Sequence, residues 1–434
     1  MPPRMDLHES KGLPGSASRR AAVYGLSLLT LLNFVNYIDR SILSAVLGSI
    51  RAEFGLSHAA GGFIATAFLT AYFITSPIFG RLGDRLSRTR LMAVGVGVWS
   101  VATAGAGIAR NYVQLLLSRA VVGVGEAAYA SISPALISDY YPASRRGRAF
   151  AIFYVAIPVG MAVGYVLGGE IEYAFHSWRS VFFIVGLPGV LLALLTLTAP
   201  DPPRGIHDGL DERLPADEHA SLRAVLVRLA RNPVYIWTVL GYAAYTFAMG
   251  GLSVWAVNYF QEVRHLHEVE ATRIVGGVLI ASGLVGTFTG GYLGDWLAAR
   301  VRHGYLWLSG VSMLASVPFG WVALTSENVV VYSSMLFIAE FLVFLSTGPI
   351  NVVIVNVVPV AMRATAMAVS IFVIHLLGDL PSPTVLGIVA DHAGFVNAAL
   401  IMPVMLGVSG VIWTATAAWC KGGEPGVARG QRSA

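Results

Sequence analysis

Apolar runs long enough to cross a bilayer recur twelve times in this chain, and no other feature constrains its fold as strongly. They read at residues 21–49, 59–82, 90–110, 112–140, 147–173 and 179–199, and resume at 233–261, 271–297, 305–325, 328–357, 363–390 and 394–420. A helix needs ~20 residues to span the hydrocarbon, where only helices and closed barrels satisfy all of their backbone polar groups. The apolar residues run together rather than alternating with polar ones, which selects helices over an outer-membrane barrel. Only 12% of the 434 residues are charged, about half of the ~25% usual in a soluble domain. The 47 glycines follow no strict period and suit helices that approach closely in lipid. The expected plan is a tail over 1–20, a six-helix bundle over 21–199, a polar loop over 200–232, a second six-helix bundle over 233–420 and a tail over 421–434.

The net charge of +5 is more informative in its placement than in its sum. Twenty-two of the 29 lysines and arginines fall in the N-terminus, the even-numbered loops and the C-terminus, five in the odd-numbered loops, and two, Arg40 and Arg119, inside apolar runs. The positive-inside rule then puts both termini and the central loop in the cytoplasm of a cell-membrane protein, and the even helix count agrees. This topological reading replaces nucleic-acid binding as the account of the basic balance, so no nucleic-acid partner is expected. An arginine pair precedes the first run in SRRAAVYGL (Ser18 to Leu26), but no small-residue cleavage site follows, so an uncleaved first helix is expected. The single cysteine, Cys420, excludes an intramolecular disulfide and a cysteine-built metal site.

Two stretches of the first half return in the second. GRLGDR (80–85) returns as GYLGDW (291–296), pairing Asp84 with Asp295, and YPASRRGRAFA (141–151) returns as VPVAMRATAMA (358–368), pairing Arg146 with Arg363. Both copies fall in equivalent loops. Parallel repeats of six helices, related by an axis along the membrane normal, are the plan of the major facilitator fold. The loop charges suggest a latch at the cytoplasmic side: Gly80 would let helices approach, and Asp84 would accept from the start of the eleventh helix near Arg363. Arg85, Arg88, Asp139, Arg146 and Asp295 complete this candidate gate.

The costliest residues lie deeper. FVNYIDRSILSAVL (34–47) holds Asp39 and Arg40 inside the first run, and RAVVGVGEAAY (119–129) holds Arg119 and Glu126 two turns apart on one face of the fourth. An ionised group at mid-bilayer costs at least ~2.5 kcal/mol, so matched charges at similar depth are expected to form one buried network. Adding a proton to a carboxylate unbalances such a network, which is what a proton-driven switch requires, so protons are the expected coupling ion and no cofactor is needed. In FYVAIPVGMAVGYVLGG (153–169), glycines at 160, 164 and 168 make a small-residue face below Pro158. IFVIHLLGDLPSP (371–383) puts His375 and Asp379 one turn apart ahead of two prolines, where a broken helix would line a cavity. Glu340, Asn351 and the aromatic seventh run, including Trp255, are further candidates for contact with cargo, together with Tyr129, Glu126 and the two arginines.

Taken together, NYIDR (36–40), GRLGDR (80–85), RAVVGVGEAAY (119–129), FYVAIPVG (153–160), SWRSVFFIVGLPG (177–189), DPPRG (201–205), RATAMAVSIF (363–372) and HLLGDLPSP (375–383) resemble the Spinster family of the major facilitator superfamily. Ser87 and Thr89 depart from that superfamily's loop motif, which has a glycine and a basic residue there. The resemblance implies proton-coupled movement of a lysophospholipid or sphingosine-phosphate-like molecule by alternating access, with Asp39, Arg40, Arg119 and Glu126 as the coupling site. A transporter working as a monomer, and not an enzyme, is expected. The alternative on the same fold is a proton-coupled carrier of small organic anions or drugs. An intramembrane lipid enzyme would need a nucleophile or metal constellation, and neither HExxH nor GxSxG occurs.

Overall fold

The computed structural model describes residues 15–141, 143–203, 222–358 and 363–419. The first half consists of α1 (Gly15–Phe54), α2 (His58–Arg85), α3 (Arg88–Ala106), α4 (Tyr112–Tyr140), α5 (Ala143–Phe175) and α6 (Trp178–Thr196). A short helix, α7 (Leu222–Ala230), precedes the second half. That half consists of α8 (Pro233–Arg264), α9 (Glu268–Ala298), α10 (Gly304–Thr325), α11 (Val329–Phe344), α12 (Thr347–Asn356), α13 (Arg363–Ile374), α14 (Ser382–Ala393) and α15 (Phe395–Trp419). All twelve apolar runs are helical. Eleven spans among the described residues are long and apolar enough to cross a membrane; the twelfth run, α3, is as long as α6 but begins with Arg88, Thr89 and Arg90. Outward faces carry Leu191, Phe288 and Val330, all well exposed, as a lipid-facing surface should.

The tenth and eleventh runs are each made of two helices. The tenth is interrupted between α11 and α12, just ahead of Pro349, whose ring nitrogen has no N–H to continue the ladder. The eleventh was expected to break at Pro381 and Pro383. It widens instead: His375–Asp379 form a π turn, closed by Leu380 N donating to His375 O at 3.1 Å, and α14 continues beyond it. The central stretch also holds more structure than a loop. Val225 and Leu229, one turn apart on α7, pack against Tyr235, Val239 and Ile354.

Glycines set the tightest approaches. A Cβ on Gly160 would lie 2.7 Å from Phe34 O, one on Gly164 would lie 2.7 Å from Ile38 O, and one on Gly168 would lie 2.5 Å from Ala45 Cβ. The small-residue face of α5 therefore lies directly on α1, along the segment that carries Asp39 and Arg40. The repeat holds in three dimensions as well. Gly83 abuts Ile132 of α4, while its counterpart Gly294 abuts Pro349 of α12, in the equivalent helix of the second half.

The two halves seal against each other at the end away from Arg19, Arg88 and Arg145. A Cβ on Gly62 of α2 would lie 2.2 Å from Pro383 O, and one on Gly387 of α14 would lie 2.4 Å from His58 O. Gly169 of α5 is as close to Thr272 of α9. At the arginine-rich end, Gly80 and Gly291 have nothing within 4 Å among the described residues. The close approach expected at Gly80 is therefore not made in this arrangement, because the seal lies at the other end.

Gly164→Leu should force α5 off α1 and lower stability by about 1–3 kcal/mol, the usual cost of overpacking. Gly277→Ala, where nothing lies within 4 Å, should leave stability unchanged or raise it. Thermal unfolding in detergent, followed by size-exclusion recovery, measures both.

Candidate functional site

The four intramembrane charges form two crossed ion pairs between α1 and α4. Arg119 Nη1 lies 3.4 Å from Asp39 Oδ1, and Arg40 Nε donates to Glu126 Oε2 at 2.7 Å. The crossing follows from helix geometry. Adjacent residues on α1 diverge by about 100°, while Arg119 and Glu126 stand about 10 Å apart along one face of α4. Asp39 and Arg119 are 1% exposed and Glu126 is fully buried. Thr103 of α3 donates its hydroxyl to Asp39 Oδ2 at 2.5 Å.

The arginines are further held by rings. The Arg40 guanidinium sits 5.1 Å from the Tyr37 and Phe68 centroids and 5.0 Å from that of Tyr72. That of Arg119 is 5.3 Å from Phe68. Such contacts are worth ~0.5–2 kcal/mol and compensate part of the lost hydration. Glu126 Oε1 is buried, and the Asn36 side chain is the neutral donor beside the carboxylate. A carboxylate kept from water in this way is a place where a proton can be taken up.

Beside this network lies a cavity of about 330 Å³ between the two halves. The first half contributes Tyr37, Arg40, Phe68, Arg119, Met161 and Tyr165, and the second contributes Tyr245, Met249, Glu340, Phe344, His375 and Asp379. Apolar side chains make up most of the wall. Arg40 is the partly exposed member of the network, its side chain 22% exposed. Across the cavity, Ser282 donates to Glu340 Oε2 at 2.8 Å. His375 Nδ1 lies 2.8 Å from Asp379 Oδ1 within the π turn. Tyr165 bridges the halves by donating to Ser253 O at 2.5 Å.

Arg40, Arg119, Glu340, His375 and Asp379 thus share one wall, whereas four other candidates for cargo contact do not reach it. Glu126 is shielded behind Arg40. Tyr129 donates to Leu29 O at 2.7 Å and packs edge-on against Trp99 in the core of the first half. Trp255 is buried at the sealed end, donating to Pro383 O at 2.9 Å. Asn351 donates to Thr347 O at 2.8 Å at the start of α12. For these three, the polar atom is engaged by backbone and the rest of the side chain serves packing.

The candidate gate residues divide in the same way. Arg88 forms an ion pair with Asp139, and its Nε donates to Asp201 Oδ1 at 2.9 Å. It ties the starts and ends of α3, α4 and α6 together inside the first half. Asp295 accepts from Tyr305 at 2.9 Å inside the second. Arg85 is exposed. The side chains of Asp84, Arg146 and Arg363 lie outside the described residues.

Two repeated six-helix halves around a central, charge-lined cavity define a membrane transporter class. The chain matches the sequence profile of the Major Facilitator Superfamily over residues 29–383. It is 33% identical to protein spinster homolog 1 of Homo sapiens over 412 residues, covering 90% of this chain and 76% of that one. It is 31% identical to protein spinster homolog 3 of Danio rerio, covering 88% and 79%. Among solved structures, a bacterial homolog to the human lysosomal transporter Spinster, in an inward-facing and unoccupied conformation, superimposes with a TM-score of 0.83 at 24% identity, covering 92% of this chain and 97% of that one. A D-xylose-proton symporter shares the fold with a TM-score of 0.69 at 17% identity, covering 90% and 96%. The chain belongs to the Spinster family of the Major Facilitator Superfamily and is a multi-pass membrane protein.

Arg119→Ala strands the Asp39 carboxylate in a buried site and should cost about 3–5 kcal/mol of stability. Adding Asp39→Asn should recover most of it. A thermal double-mutant cycle checks this, and equal, additive losses would show that the pair is not coupled.

Proposed function

We propose that this chain is a proton-coupled secondary transporter of the cytoplasmic membrane. On this reading it carries an amphipathic lipid with an anionic or zwitterionic headgroup, such as a lysophospholipid or sphingosine-phosphate-like molecule, by alternating access. The observation that carries the proposal is the pair of crossed ion pairs, one arginine of which opens onto a mainly apolar cavity. Arg40 would meet the headgroup, while Met161, Met249 and Phe344 offer greasy surface to the tail. The superfamily match, and the description of the human Spinster protein as a lysosomal transporter, support transport over catalysis.

The coupling rests on charge balance. With both carboxylates ionised the network is neutral, and Arg40 is held on Glu126. A proton on Glu126 or Asp39 leaves an arginine without its counter-charge, which favours a different approach of α4 to α1. Protonation and conformation then bias each other by one and the same free energy. The arginine distribution supports cytoplasmic termini, so the sealed end faces outward and the arrangement is inward-facing. The cytoplasmic latch of Asp84, Asp295, Arg146 and Arg363, with Gly80 and Arg85 beside them, belongs to the opposite, outward-facing state. Protons serve as the only coupling partner, without a cofactor, in a monomer within the bilayer.

A second reading has one observation in its favour. A cavity of about 330 Å³ is at the low end of the ~300–1,000 Å³ typical of small-molecule sites, and a compact organic anion or drug would fill it.

Reconstitution into liposomes with an imposed pH gradient should show gradient-dependent movement of lysolipids in preference to small organic anions and cationic drugs. The reverse preference would select the second reading. Asp39→Asn and Glu126→Gln should each hold at neutral pH the conformational distribution that the native chain adopts in acid, and should blunt gradient-driven transport. Distance distributions across the two ends, recorded against pH, test this; a full native pH response in both variants would remove the coupling role.

A further inference from the structure

At the sealed end, the imidazole of His58 is held between two carboxyl groups of the opposite half. Its Nδ1 lies 2.8 Å from Asp391 Oδ1, and its Nε2 lies 2.9 Å from Glu262 Oε2. A neutral imidazole has one N–H donor and one bare nitrogen, and an ionised carboxylate only accepts. Both contacts can form together only if the cluster holds one proton more than a neutral imidazole facing two carboxylates. The surrounding donors are committed elsewhere on the same acceptors. His58 N and Ala59 N each donate to Asp391 at 2.8 Å, and Ser57 donates to it as well. Arg51 Nη1 donates to the other oxygen of Glu262, Oε1, at 2.5 Å. His392, beside Asp391, has its Nδ1 on Ile388 O. Trp255 and Phe395 flank the imidazole, with centroids 5.7 and 4.9 Å away, and the His58 side chain is only 17% exposed. Water is therefore a poor substitute for the missing hydrogen.

A second acidic pair across the same seam points the same way. Glu172 of α5 and Glu268 of α9 line one recess across the seam, with Glu172 Oε2 and Glu268 Oε1 buried and without a hydrogen-bond partner among the described residues. Two carboxyl groups brought together with buried, unpartnered oxygens favour holding a proton over carrying two like charges. The groups around them are Glu170, paired with Arg273, and the two histidines His176 and His267, which line the same recess. His58, Arg51 and Glu172 belong to the first half, and Glu262, Asp391 and Glu268 to the second. Parting the halves at this end breaks every one of these contacts.

We propose that the seal is itself a proton-binding site, separate from the Asp39–Glu126 network, which takes up protons as it closes and gives them back to the same side of the membrane as it opens. Because the closed state holds more protons, acid favours closure, and each linked proton can change the closed-to-open ratio by up to about tenfold per pH unit. The inference rests on the alternating-access part of the proposed function and is independent of the cargo and of Asp39 and Glu126.

Glu262→Gln separates this proposal from a merely structural role. The amide oxygen can still accept from Arg51, while the amide N–H supplies the hydrogen that a neutral His58 lacks. His58→Ala removes the bridge. Pairs of spin labels on the turns at 55–57 and 393–395, with Cys420 replaced by Ser, report the outer end. They are read from pH 5 to 8 in the native chain and in an Asp39→Asn/Glu126→Gln background. The expected result is a pH-dependent opening of the outer end that persists in that background with reduced amplitude. Glu262→Gln should lose the share of this dependence that His58 carries and stay closed to higher pH, and His58→Ala should shift toward open at every pH. A Glu262→Gln chain that opens with the native pH profile overturns the proposal, whether or not the background variants fold. Failure of transport in liposomes would instead bear on the proposed function.

Discussion

Four charges, three of them buried and the fourth opening onto the cavity, set the terms for the rest of the first half. Asp39, Arg40, Arg119 and Glu126 are tolerable at this depth only as a neutral set, and only while each partner stays within reach of the other. Everything around them serves that end. The glycine face of α5 lets backbone meet backbone along α1 and leaves no gap for water beside Asp39. Thr103 supplies the hydrogen that Arg119, at 3.4 Å, gives only weakly. Phe68 lies against both guanidinium groups. An aliphatic replacement of the whole set would pack as well or better, so the charges are not there for stability.

The distribution of polar contacts follows the same logic across the molecule. Where the halves are pressed together, at the end away from Arg19 and Arg145, they meet through bare glycine contacts and a ring of ionisable groups. At the arginine-rich end, the polar groups that are described look inward to their own half, as Arg88 does to Asp139 and Asp201. Pairing within a half keeps each bundle rigid, and pairing between halves fixes one arrangement of the two. A carrier needs the first everywhere and the second only at one end at a time.

Much of this was legible in the sequence for a physical reason. A charge inside an apolar run is expensive, so its presence alone marks Asp39, Arg40, Arg119 and Glu126, and their helical spacing gives their relative depth. Apolar runs likewise mark the helices, because a bilayer allows little else. Side chains that are common in helices give no such signal. Thr103, Tyr165 and Ser282 matter through contacts with other helices, and nothing in their own neighbourhood of sequence points to them. For Tyr129, Trp255 and Asn351 the residue type suggested cargo contact, but type does not reveal the face of the helix, and all three turn to backbone acceptors. The helix α7 escaped notice because nine residues with interspersed arginines are too short and too polar to stand out. His58 carries no mark in the sequence, because it begins a helix in a turn and its two carboxyl partners lie some two hundred and more than three hundred residues away.

The π turn at His375–Asp379 gives the eleventh span a property that the straight spans lack. It accommodates one residue more than an α-helical turn would over the same rise. Drawing that residue into regular α geometry would rotate α14 against α13 by about 100° and lengthen the span by about 1.5 Å. The span is thus a screw with one thread held in reserve, and the imidazole and carboxylate facing the cavity sit on that thread.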